Sequence, residues 1–435
     1  MDLPAAIAWL DQHVNHETAP PPRAGSTGGL SLDRMRALTA VLDEPQHAYP
    51  VIHVTGTNGK GSTCRMISAL LAETGLTVGT YTSPHLGHVR ERIARNGEPI
   101  GDDDLAILLT DLAGLAPLAG AELSWFELVT AAAFRWFADV ADVAVIEVGM
   151  LGRWDATNVA DGQVAVVINV GPDHTDFREG WRVAVAAEKA GIIKAGATLV
   201  LGETDPELRP VFVDAARAVE ADALWERDVE FACDENLLAV GGRLIDLRTP
   251  HGTLDEVFLP INGAHQGDNA AVALAAAEAF FGRALGEDVV RDALAKVTVP
   301  GRFEVVRRNP LLVLDGAHNA AGAAVAAQTL ADDFDVTGET ILVVGALAPR
   351  DVTALLDALD AGQAHLVVAC APPSPRAVPA EEVARAAASL GVPAEVVPDV
   401  GRAVDRAISR AGEEDAVLVT GSLHVVGAAR AHLRL

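Results

Sequence analysis

The 435-residue chain carries a formal net charge of −27, and half of its residues are hydrophobic. That charge argues against a nucleic-acid surface or an anionic membrane face, and no stretch reaches the ~18 uncharged apolar residues of a membrane span. At about 150 residues per domain, two or three domains with a sizeable core are expected.

The N-terminal "MDLPAAIAWLDQHVNHE" is acidic and amphipathic, unlike a secretory signal, so a cytoplasmic protein is expected. Residues 4–14 place Ile7, Leu10 and Val14 at helical spacing. "HETAPPPRAGSTGG" (16–29) reads as a loop, and 31–42 as a helix with Ser31 as its N-cap. Strands are expected at 51–54, 77–81, 143–148, 164–169 and 198–201, alternating with helices at 62–74, 103–113, 125–138 and 181–190. That alternation predicts a mostly parallel sheet covered on both faces. Residues 223–259 are less regular and suit a small antiparallel insert, before helices at 267–281 and 287–296. "VTVPGRFEVV" (297–306) reads as a junction. Beyond it, strands at 311–314, 341–345, 366–369, 395–397 and 416–420 alternate with helices at 320–331, 351–359, 380–390 and 401–411. Two domains follow, 1–297 and 298–435: a P-loop-type, mostly parallel α/β domain and a smaller Rossmann-like α/β domain.

Three dispersed cysteines without C-x-x-C spacing argue against a disulfide framework or a zinc site. Lys60, Lys189, Lys194 and Lys296 are the only lysines, and three of them fall in motifs. In "VIHVTGTNGKGST" (51–63), Gly56-Thr57-Asn58-Gly59-Lys60-Gly61-Ser62 fails the strict Walker spacing. It keeps the physics: a strand leads in, small residues expose backbone N–H groups, and a helix opens at Ser62-Thr63. Lys60 can then reach terminal phosphates; a ligand-free strand–helix turn is the bland alternative. "YTSPHL" (81–86) sets Ser83 and His85 at the next strand end, near Lys60, where ligands of open α/β sheets lie. Taken alone, a capped turn is the favoured reading. "VAVIEVGMLGRWDATN" (143–158) ends a buried strand on Glu147, costly unless paired or metal-bound. "VVINVGPDHTDF" (166–177) ends another on Asp173 and His174. Glu147, His174 and Ser83 converge on a plausible Mg²⁺ site, although histidine is an unusual magnesium ligand and a core histidine fits too. Lys189 in "AAEKAGIIK" reads, from composition alone, as a surface lysine paired with Glu188. "DGAHNAAG" (315–322) brings Asp315 and His318, and "TGSLHVVG" (420–427) brings Ser422, to strand ends of the second domain.

Taken together, "VTGTNGKGST", "YTSPHL", "FELVTAAAF", "EVGMLGRWDATN", "DHT", "EKAGIIK", "NGAHQGDNAAVALAA", "PGRFE", "LDGAHN", "GAL" and "SPRAVP", in order from about residue 50 to 425, resemble the folylpolyglutamate synthase/dihydrofolate synthase branch of the Mur ligase superfamily. The resemblance implies that Lys60 and the glycines around it hold ATP phosphates, and that Ser62, Ser83, Glu147 and His174 surround magnesium. It implies that Lys189 is carbamylated, that Gln266 and Asn269 meet adenine, and that Arg302 and Asp315 reach the nucleotide from the second domain. His318 and Ser422 then meet L-glutamate, and the 16–29 loop helps cover a pterin-bearing acid. The implied enzyme is an ATP-dependent amide ligase working through an acyl phosphate, as a monomer. The chain departs from the family's usual pattern at Met150, Leu151, Trp154, the "DFREGWRVAVA" stretch and Ala320, near the acid-substrate side. A ligase paralogue using another acid, and a P-loop NTPase switch without acyl transfer, are the alternatives.

Overall fold

The computed structural model describes residues 1–15, 31–172 and 179–435. Within them three sheets form. The first holds β1 (Val51–Thr55), β2 (Val78–Tyr81), β3 (Ile93–Arg95), β4 (Glu98–Pro99), β5 (Val143–Glu147), β6 (Gly162–Val167), β7 (Thr198–Leu201) and β8 (Ala223–Glu226), in the order β4-β3-β2-β5-β1-β6-β7-β8. It is parallel except for β3 and β4. β1 and β5 are buried at every position, which is why they read as continuous apolar runs rather than alternating ones.

Helices cover both faces. On one, Lys60–Glu73 and His265–Phe281 pack against the sheet; on another, Trp125–Val140 does, anchored by a reciprocal Ser124/Glu127 cap. β9 (Ala232–Ala239), β10 (Gly242–Thr249) and β11 (Gly252–Leu259) make the antiparallel insert, while β8 within the same irregular stretch joins the main sheet.

The third sheet holds β12 (Glu304–Arg308), β13 (Leu311–Leu314), β14 (Thr340–Val344), β15 (Leu366–Ala369), β16 (Ala394–Val396) and β17 (Ala416–Thr420), in the order β12-β13-β17-β14-β15-β16. All but β12 run parallel.

Three expectations need correction. The first helix stops at Leu10, and Val14 is exposed. The second begins at Asp33 with Leu32, not Ser31, at the cap; Ser31 Oγ still accepts from the Asp33 N–H at 3.0 Å. The junction is itself partly a strand, β12, and a terminal helix, Leu423–Leu433, follows β17. The parts before and after the junction meet through several contacts. Leu86 packs against Gly427 and Gly301. Arg243 pairs with buried Asp333 at 2.6 Å, and Asp333 also accepts from the Gly263 N–H at 2.6 Å.

Candidate active site

The carboxyl ends of the two parallel sheets open into one cleft of about 1490 Å³. Thr55, at the end of β1, donates through Oγ1 to Leu151 O at 2.6 Å. The chain then turns into the helix Lys60–Glu73. Gly59 has φ +87°, and a Cβ there would stand 2.7 Å from Asn269 Oδ1, so conformation and space both require glycine. Asn169, beyond β6, clamps this turn. Its Oδ1 accepts from the N–H groups of Thr57 and Asn58, both at 3.0 Å, and its Nδ2 donates to Asn58 O at 3.0 Å. Lys60 Nζ donates to Gly56 O at 3.0 Å and Thr57 O at 3.3 Å. Lysine, loop and helix N-terminus form a cradle for anionic oxygens.

Glu147 ends β5 and is buried. Its Oε2 accepts from the Ser83 N–H at 3.0 Å. Burial pushes its carboxyl above the usual range; Lys60, the Ser83 N–H, Arg302 and Arg92 pull it back, in that order. A cation beside it would favour the ionised form. Ser62, Ser83 and Glu147 supply oxygen donors, which suits Mg²⁺ with phosphates and waters completing its shell. Among the described residues no three His, Cys, Asp or Glu side chains cluster as a metal cage.

Asp315 ends β13 on the facing wall. Its Oδ2 accepts from the Phe303 N–H and its Oδ1 from the Ala317 N–H, both at 2.8 Å. Burial raises its carboxyl, and Arg302 gives the largest opposing pull. Asp315 therefore pins the "PGRF" turn, where Gly301 (φ +70°) and Phe303 (φ +42°) are left-handed, and that turn carries Arg302 into the cleft. His318 Nδ1 lies 2.9 Å from Gly316 O. Ser422, buried, caps the helix Leu423–Leu433 by accepting from the Val425 N–H at 3.2 Å. Gln266 and Asn269 are buried and bonded to each other, Asn269 Nδ2 to Gln266 Oε1 at 3.0 Å.

At the other end of the cleft, Met35, Phe126, Met150 and Trp154 make an apolar wall, with Arg34 Nε donating to Glu127 Oε1 at 3.1 Å. The loop carrying Met150 and Trp154 is tied down by buried Asp155. That carboxylate accepts from the Met150 N–H (2.8 Å) and from the Thr157 N–H (3.0 Å) and hydroxyl (2.5 Å). His53 Nε2 lies 2.9 Å from the same hydroxyl.

Of the described residues that the sequence singled out, Gly56, His85 and Lys189 do not line the cleft. Gly56 packs on Ile168. His85 Nδ1 accepts from Arg92 Nε at 2.9 Å, and the Arg92 guanidinium lies 4.7 Å over the Trp125 ring. Lys189 is buried, which overturns the surface-lysine reading. His174, Asp173 and the 16–29 loop lie outside the described residues. Sequence reasoning gave no role to Asn169 or to Asn319, whose Nδ2 reaches across the cleft to Asn58 Oδ1 at 3.2 Å. Both asparagines sit inside the quoted motifs, and that position was the only signal available for them.

Two family models match the chain: Mur ligase middle domain over residues 127–277, and Mur ligase, glutamate ligase domain over residues 301–423. The chain is 39% identical to a dihydrofolate synthase/folylpolyglutamate synthase of Mycobacterium tuberculosis, over 92% of this chain and 89% of that one. A solved structure of Mycobacterium tuberculosis folylpolyglutamate synthase, complexed with ADP and AMPPCP, superposes with a TM-score of 0.89 at 37% identity, covering 99% of this chain and 98% of that chain. The bifunctional folylpolyglutamate synthase/dihydrofolate synthase of Yersinia pestis CO92, complexed with AMPPNP and Mn ion, superposes with a TM-score of 0.84 at 31% identity, covering 100% and 98%.

Proposed function

The chain belongs to the Mur ligase family, in its dihydrofolate synthase/folylpolyglutamate synthase branch, and from that premise we propose that it is an ATP-dependent ligase joining L-glutamate to dihydropteroate, to reduced folates or to both. One observation carries this reading: the lysine cradle and buried Glu147 of the first sheet face Arg302, His318 and Ser422 of the third across one cleft. A nucleotide switch has no need of the second wall.

The chemistry follows from that facing arrangement. The acid's carboxylate attacks the γ-phosphorus of ATP, ADP leaves, and an acyl phosphate remains on the acid. Lys60 and Arg302 stabilise charge on the transferring phosphoryl group. Mg²⁺, when bound beside Glu147, Ser62, Ser83 and His174, neutralises phosphate charge. The glutamate amine then attacks the carbonyl carbon, inorganic phosphate departs and an amide forms. His318 and Ser422 border the amine's approach, while Gln266 and Asn269 border the base. Lys189 is the carbamylation site on this reading, where a carbamate would replace an ammonium by an anion suited to a metal. Units 1–297 and 298–435 act as the two halves, in a cytoplasmic monomer.

The test is phosphate release from Mg-ATP with L-glutamate and either dihydropteroate or tetrahydrofolate, with product mass measured. A product heavier by one glutamyl unit identifies the acceptor. Tight ATP binding without turnover on either acid would sink the folate assignment and favour another acid, consistent with Met150, Leu151 and Trp154 on the acid side.

A further inference from the structure

Strand β1 holds more than the phosphate cradle. Side chains of a strand alternate in direction, so Val51, His53 and Thr55 share one face, while Ile52 and Val54 join the core on the other, with the Lys60–Glu73 helix. On the first face two side chains grip the loop of Met150 and Trp154. Thr55 Oγ1 donates to Leu151 O at 2.6 Å. His53 Nε2 meets Thr157 Oγ1 at 2.9 Å, and that hydroxyl donates to Asp155 Oδ1 at 2.5 Å. The hydroxyl's one proton goes to the carboxylate, so the neutral imidazole donates its Nε2–H to the hydroxyl oxygen. The relay runs from His53 through Thr157 to Asp155, whose Oδ2 takes the Met150 N–H at 2.8 Å.

Both grips hold a loop that would otherwise relax. Leu151 stands at φ +58°, a left-handed backbone that residues other than glycine avoid. Gly152 beside it is pressed on the next helix, where a Cβ would stand 2.7 Å from Glu188 O. His53 itself breaks a local rule: it is fully buried, and its Nδ1 meets no partner among the described residues. An aliphatic side chain at the centre of β1 would leave no lone pair unmet, and such breaches are expected where function requires them. From Thr55 the strand runs straight into the turn that carries Lys60. One rigid element therefore fixes both the cradle and the apolar wall, and a slip of about 1 Å between them would spoil attack on phosphorus.

We propose that His53 and Thr55 are positioning residues for the acid substrate, setting the Met150–Trp154 wall in register with the phosphate cradle. The inference rests on the ligase reading. It is tested by Thr55→Val, which removes one hydrogen bond at nearly constant shape, by His53→Leu, and by His53→Gln, whose amide can still donate to Thr157. The readouts are kcat and KM for the acid the wild type accepts, dihydropteroate or tetrahydrofolate, and KM for Mg-ATP and L-glutamate. In Thr55→Val and His53→Leu, kcat/KM for the acid should fall about tenfold or more, while KM for ATP and L-glutamate move less than about twofold. His53→Gln should recover most of the loss, since the relay keeps its donor. A purely structural role lowers the amount of active enzyme and leaves every KM unchanged; that pattern in Thr55→Val overturns the proposal, as does a KM for ATP that rises as much as the acid's. If His53→Leu does not fold, Thr55→Val decides on the same criteria. Wild-type enzyme that ligates glutamate to neither acid would instead overturn the ligase reading beneath it.

Discussion

His53 sits fully buried in the central strand β1, where burial, followed by the charge of Lys194, pushes its pKa down to about 3 from 6.5. Its Nε2 meets Thr157 Oγ1, whose hydroxyl also donates to Asp155. The imidazole is thus neutral in the folded protein, while in the unfolded chain it takes a proton below pH 6.5. Between those values the unfolded state binds more protons, so stability falls as pH drops from about 6.5 toward 3. Buried Glu147, Asp155 and Asp315, raised by burial, carry the opposite sign. The clean readout is therefore a difference. His53→Gln keeps a hydrogen-bonding amide but cannot titrate, and it should flatten the pH dependence of unfolding by on the order of 2–3 kcal/mol between pH 7 and pH 4. Denaturant melts at the two pH values check this; parallel losses in variant and wild type would sink it.

At the scale of elements, the turn from β1 into the Lys60–Glu73 helix is a tight constraint in the cleft. Gly59→Ala must hold an L-residue at φ +87°, at about 1–2 kcal/mol, and must displace the Asn269 amide. Because Asn269 is held by Gln266, the displacement spreads to both residues, and on the proposed reading ATP affinity should fall at least tenfold with L-glutamate KM little changed. Calorimetric titration of ATP reads it, and wild-type affinity would mean that the loop tolerates a Cβ. This turn was legible from residue types alone, as were the parallel strands, because a strand buried on both faces writes itself as an unbroken apolar run. Other parts were not. β12 hides in "FEVVRR" because an edge strand with one exposed side resembles a junction. Lys189 read as a surface lysine because composition carries no information about which helix face is covered. Asp315 lines the cleft, and its two oxygens also hold backbone N–H groups of a turn, a partnership between residues twelve and two positions away that no local pattern encodes.

For the whole molecule the decisive question is how the two sheets keep water from an acyl phosphate. The intermediate is hydrolysed unless the cleft stays closed while the amine arrives. Near the cleft the halves touch where Asn319 meets Asn58 and where Leu86 packs on the Leu423–Leu433 helix. At the second contact Gly427 faces the Leu86 carbonyl so closely that any Cβ would collide with backbone. Leu86 belongs to the loop that carries Ser83, and Gly427 to the helix capped by Ser422, so a wedge here separates the wall of Ser83 from the wall of Ser422 without touching Lys60. Gly427→Ala should therefore bind ATP nearly as wild type yet waste it. Phosphate released should exceed amide formed, and kcat for ligation should drop about tenfold or more. Simultaneous phosphate and product assays give the ratio directly. One phosphate per amide at normal rate would mean that closure does not depend on this contact; a ratio above one would locate the seal against water at Leu86.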